Sequence, residues 1–99
     1  MINHVVLFKL KACPAKEKVL IIEKFKSMLL GLKGKIDVLK HIEVGENYEL
    51  EAKSFDLALI THFESIEDLN SYAVHPEHVK VTDFAREVVE ARAAVDFNF

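Results

Sequence analysis

Apolar residues recur along this chain with two different periods, and each change of period marks a structural element. Ile2 to Leu10 (INHVVLFKL) is rich in β-branched and aromatic residues over the length of one strand, which predicts strand one. Pro14 follows at a place suited to the first turn of a helix. Val19, Ile22, Phe25, Met28, Leu29 and Leu32 then recur at three- and four-residue steps, with Lys16, Glu17, Lys24 and Lys26 between them. That spacing predicts helix one from about Ala15 to Leu32, and its mixed charges describe a solvated face rather than an anion site. Gly31 and Gly34 end the helix, after which Ile36, Val38, Ile42 and Val44 alternate and predict strand two over Ile36 to Val44.

The polar run GENYELEAKS, Gly45 to Ser54, reads as a loop, and Phe55 to Phe63 (FDLALITHF) as strand three. Ser65 with Asp68 three residues on matches a capping box, which starts helix two over Ile66 to Ala73. Pro76 suits the first turn of helix three, because its missing amide hydrogen would be unpaired there anyway. That helix is expected to reach about Ala91, and Ala93 to Phe99 to form strand four. The order β-α-β-β-α-α-β over residues 1–99 is that of a single α+β domain built on a split β-α-β unit, an antiparallel four-stranded sheet with its helices on one face.

Such a sheet should expose polar residues on its other face, and this one does not. In strand one Val6, Phe8 and Leu10 point one way while Val5 and Leu7 point the other; in strand three Leu57 and Leu59 oppose Ala58 and Ile60. Strands apolar on both faces need cover on both, and no spare element is available to supply it. A second copy of the chain would, so the expected partner is a homodimer twin.

Composition narrows the rest. A chain of 99 residues with 51% apolar residues and a formal charge of −3 shows no basic footprint for nucleic acid. Cys13 is the single cysteine, which excludes an internal disulfide and a multi-cysteine zinc site. Met1 to Leu10 lacks the basic start and unbroken apolar core of a signal peptide, and no stretch approaches about 18 consecutive apolar residues, so no membrane association and a cytoplasmic location are expected.

The chemistry concentrates in YAVHPEHV, Tyr72 to Val79, which holds an aromatic hydroxyl and two imidazoles. With helix three starting at Pro76, His78 falls in its first turn, where the partial positive charge of the helix end disfavours imidazolium. At about 100° per residue it shares a side with Ala85 and Val89, beside Val81, at the edge of the apolar face. A neutral imidazole there can take a proton from a carbon next to a carbonyl, while the Tyr72 hydroxyl donates a hydrogen bond to the oxygen that gains charge. Asp96 could orient the imidazole by accepting a ring hydrogen bond. His4 shares a strand face with Val6 and Phe8, and these three with His75 are the candidate ligand-binding residues. Pro76 spoils the register of His75 with His78 and no acidic or cysteine cluster completes a shell, so neither a metal nor another cofactor is expected.

The bland reading stands beside this one: Tyr72 as a core residue three positions after Leu69, His75 as a residue held extended by the proline that follows, His62 as a structural residue facing the twin.

The opening HVVLFKLK, the Gly45-Glu46-Asn47 turn, the segment FESIEDLNSYAVHPEHV and the closing Val95-Asp96-Phe97 together resemble the stress-responsive dimeric A/B barrel family. The resemblance implies a ferredoxin-like protomer whose sheet packs on its twin to form a dimeric α/β barrel. It implies less about chemistry, although one plant member, olivetolic acid cyclase, closes a polyketide ring by an aldol reaction. By that resemblance Tyr72 and His78 match the groups associated with catalysis, His4 the strand-one histidine and Asp96 the strand-four aspartate. Two function classes follow: a cofactor-free cyclase, isomerase or lyase acting on a small carbonyl compound, or a dimeric protein that binds a small apolar ligand, or serves a stress-related role, without catalysis.

Overall fold

The computed structural model describes residues 1–49 and 54–99. The elements are β1 (Ile2–Leu10), α1 (Ala15–Leu30), β2 (His41–Glu46), β3 (Leu57–Phe63), α2 (Ile66–Val74), α3 (Pro76–Val88) and β4 (Val89–Asn98). All strand pairs are antiparallel and the sheet order is β2-β3-β1-β4, so the two most apolar strands are central. This is the ferredoxin-like α+β arrangement that the resemblance implied.

The helices cover one face of the sheet. Val6, Phe8 and Leu10 of β1 and Leu57 and Leu59 of β3 are buried there, against Ile22, Phe25 and Leu29 of α1. Fully burying one such side chain contributes roughly 1.5–3 kcal/mol relative to leaving it in water, and this layer is where the fold gains most of its stability. The opposite face is open in the single chain: Leu7 is 38% exposed, Val95 56% and Phe97 45%.

Asp56 anchors the start of β3 beneath this core. Its buried carboxylate accepts the Leu10 amide at 2.8 Å and lies 3.5 Å from the Lys18 ammonium, while its backbone amide donates to the Phe8 carbonyl. A carboxylate taken out of water needs such partners. Local chemistry alone did not mark this residue, which lay at the edge of an apolar run.

Several boundaries differ from expectation. The segment 36–44 is not one strand: Ile36 and Leu39 are buried in a turn linked by Lys35 and Ile36 amides to the Leu32 carbonyl and by Leu39 to Ile36, and β2 begins only at His41. Buried positions 32, 36 and 39 follow a helical spacing, which a short alternating run imitates. Gly34, with φ of 92°, supplies the left-handed residue that turns the chain there. The third helix stops at Val88 rather than Ala91 because β4 starts at Val89, pairing with Leu10, and the Lys11 amide takes the Val88 carbonyl. Sheet pairing overrides the helix propensity of 89–91. Part of the expected loop Gly45 to Ser54 lies outside the described residues.

Candidate functional site

Helix α2 opens as the sequence predicts, with the Ser65 hydroxyl accepting the Asp68 amide at 3.2 Å. Its end is decided by Pro76. The residue before a proline is pushed to extended geometry, and His75 takes φ −63° and ψ 134°. From there its ring Nδ1 accepts the Glu77 amide at 3.1 Å and caps α3. His75 is thus a helix cap, and it is not among the residues that line the cavity described below.

His78 then lies one turn into α3. Its Nδ1 is 3.1 Å from the Ala73 carbonyl, one of the four carbonyls that the end of α2 leaves unpaired. A carbonyl can only accept, so Nδ1 carries the hydrogen and, in the neutral ring, Nε2 is the free base. The pKa of His78 is lowered, first by burial, against the raising effect of the Ala73 hydrogen bond, and further by the positive charges of His4, Arg92 and His75. The direction of the shift is the one expected from the sequence, with burial rather than the helix end as its first cause.

Tyr72 is 1% exposed and its ring lies 4.2 Å from that of His78, centroid to centroid, and 4.9 Å from Phe63. Its hydroxyl is buried and has no hydrogen-bond partner among the described residues. A buried hydroxyl without a partner costs roughly 1–3 kcal/mol. Burial pushes its pKa up to about 12, which keeps it a hydrogen-bond donor across the physiological range. The oxygen itself is shielded from solvent, although the residue lines the cavity described below.

A cavity of about 640 Å³ separates these groups from β4. Its floor is apolar, with Val6, Phe8, Phe25, Leu29 and Val81 facing it, and its rim is polar, with His4, His78, Arg92 and Asp96. His4, Val6 and Phe8 are where the sequence placed them. The cavity exists because β4 is an edge strand whose helix side is left uncovered: from Glu90 onward every residue of it is exposed.

Asp96 does not orient His78. It is the cross-strand partner of His4, and its carboxylate accepts a close hydrogen bond from the Nδ1 of that ring. The two imidazoles thus have different supports, a carboxylate for His4 and a backbone carbonyl for His78. The pairing of β1 with β4 decides this, and a single sequence carries no register signal between its first and last ten residues. Arg92 was also missed: it shares the helix-side face with Asp96, but the expected start of strand four at Ala93 left it outside the strand.

No group of three or more His, Cys, Asp or Glu side chains among the described residues is arranged to hold a metal ion. His62 lies on the helix-free face, its ring stacked 4.6 Å from His41 and 4.6 Å from Phe99. No helix among the described residues is long and apolar enough to cross a membrane.

Among known proteins, the chain is 33% identical over 102 residues to a stress-response A/B barrel domain-containing protein, DABB1, of Arabidopsis thaliana, covering 98% of this chain and 46% of the relative, so it spans less than half of that protein's length. A dimeric ferredoxin-like protein of unknown function from Bacteroides fragilis is 38% identical, with a TM-score of 0.91 over 99% of this chain and 95% of its own. A hydroxynitrile lyase from Passiflora edulis shares the fold, with a TM-score of 0.80 at 15% identity over 97% of this chain and 90% of its own. The family model of the stress responsive A/B barrel domain matches residues 2–99, and the chain belongs to that family.

Proposed function

We propose that this protein is a homodimeric, cofactor-free acid–base enzyme that acts on a small carbonyl compound of largely apolar character, in the manner of a cyclase, isomerase or lyase. The observation that carries the reading is the unpartnered, buried Tyr72 hydroxyl beside a His78 whose Nε2 is left free. In the proposed reaction Nε2 of His78 takes the proton from the carbon next to a carbonyl. The electron pair moves onto the carbonyl oxygen, and the Tyr72 O–H donates to that oxygen as it gains charge. The enolate so formed attacks a second carbonyl, or expels a leaving group, and the protonated His78 returns its proton to the oxygen or leaving group. The apolar floor removes water, which strengthens the Tyr72 hydrogen bond when charge develops. The His4–Asp96 pair forms the opposite rim and holds the far end of the ligand. That a fold-sharing protein is a hydroxynitrile lyase supports the scaffold's capacity for such chemistry, by analogy of fold only.

The dimer is proposed to bury the helix-free sheet face, in keeping with the dimeric state of the Bacteroides fragilis protein. The second reading, a dimer that binds a ligand without changing it, draws on the shielding of the Tyr72 oxygen, because a donor that never meets the ligand stabilises nothing.

The test is deuterium exchange at carbons next to the carbonyl in a panel of small β-dicarbonyl compounds, followed by NMR in D₂O alongside thermal shift. Exchange by the native protein that is lost in His78→Ala and slowed in Tyr72→Phe supports the enzyme. Thermal stabilisation with no exchange supports the binding reading, and full exchange by His78→Ala overturns the site assignment.

A further inference from the structure

Arg92 lines the cavity and is not used by proton transfer at His78 and Tyr72. It stands on the helix-side face of β4, opposite Phe8 in the sheet register and four residues before Asp96, and lines the rim. The other charges at that rim are largely spoken for. Asp96 is engaged by His4, and Arg86, which also lines the rim, is paired with Asp83 at 3.1 Å. Glu90 lines the rim too, but it forms no ion pair with Arg92 among the described residues, nor does any other carboxylate. A guanidinium next to an apolar floor, with no carboxylate on it among the described residues, is complementary to an anion that enters with an apolar body. Arg presents a planar fork of donors that matches a carboxylate by two parallel hydrogen bonds.

Resting on the proposed chemistry at His78, we infer that the ligand is an oxo acid: its carboxylate is held by Arg92 at the rim, its hydrocarbon body lies on Val6, Phe8 and Phe25, and its ketone is directed to Tyr72 and His78. The anchoring has a second effect. The positive charge of Arg92 opposes protonation of His78, so a carboxylate that neutralises Arg92 makes His78 a better base when substrate is bound. The groups bearing on that ring are His4, His75 and Arg92, all of which oppose its protonation, with the Ala73 carbonyl favouring it. Asp96 and Glu90 lie across the same cavity.

The experiment compares 4-oxononanoate with its methyl ester by calorimetric titration. The native protein should bind the acid about tenfold to a hundredfold more tightly, the range expected for a charge-assisted hydrogen-bonded pair. Arg92→Gln should abolish the preference and Arg92→Lys should restore part of it. The NMR titration midpoint of His78 should rise when the acid binds and stay unmoved by the ester. Equal binding of acid and ester by the native protein overturns the inference without need of any variant, and so does a preference that survives Arg92→Gln. The His78→Ala protein separates the two readings: if it keeps the preference for the acid, Arg92 reads the carboxylate independently of the base. If the native protein shows the preference but exchanges no ketone protons, the anion site stands and the enzyme reading falls.

Discussion

The two faces of the sheet are built from the same strands and have opposite fates. On the helix side, Val6, Phe8, Leu57 and Leu59 are buried; on the other, Leu7, Val95 and Phe97 remain open to solvent in the single chain. Each face also buries one polar atom without a partner among the described residues, the Tyr72 hydroxyl on the helix side and Asn3 Oδ1 on the free side. The contrast separates two needs. The free face leaves apolar side chains uncovered in the single chain, whereas the helix side is packed except at the recess beside β4. A surface that is broad and apolar is completed by protein, and a small recess with a few polar groups is completed by a ligand.

The largest expected effect comes from charging the free face. Leu7→Glu should convert the dimer to monomers in light scattering, because a lone carboxylate buried between two sheets finds no partner. A dimer that survives places the interface elsewhere. Next, on the covered face, His78→Ala should lower turnover of a substrate found in the exchange screen about 10²- to 10⁴-fold while light scattering still shows the dimer. Loss of the dimer with unchanged turnover would reverse the roles assigned to the two faces.

A purely structural effect of intermediate size is expected at Asp56, whose removal leaves the Leu10 amide unpaired beside Lys18. Asp56→Ala should cost about 2–4 kcal/mol in urea unfolding, with the cavity retained. Stability should also fall on mild acidification. The folded pKa of His78 lies below its unfolded value of 6.5, so the unfolded chain takes up a proton first as pH drops through 6.5, and the folded state loses ground until the folded pKa is reached. His78→Gln should flatten that part of the stability curve, and a curve unchanged by the substitution would refute the buried neutral ring. His62 contributes in the same direction, because its pKa is lowered by burial and by His41 against the pull of Glu43. The smallest effect belongs to Asp96→Asn: it should move the ring NMR signals of His4, whose hydrogen bond it alters, and leave the titration of His78 nearly in place. A large downward move of His78 would restore the sequence-based pairing of Asp96 with His78.

Much of the scaffold was legible because it rests on local rules. The period of two in β1, the period of three to four in α1, the Ser65 cap and the bend at Pro76 each depend on residues within one or two turns of each other. The same locality explains the failures: Ile36, Val38, Ile42 and Val44 alternate on paper, yet burial at 32, 36 and 39 makes the first part a turn. At the site, the sequence alone determined that Tyr72 and His78 flank a helix joint and that His78 falls in the first turn of the helix near an apolar face. Tertiary structure alone decided their supports. Which carboxylate reaches which imidazole depends on antiparallel pairing of β1 with β4, contacts about ninety residues apart whose register no local preference encodes. His75 became a cap, Asp96 went to His4, and Arg92 joined the cavity, because strand pairing and helix ends place side chains by geometry that residue type does not contain.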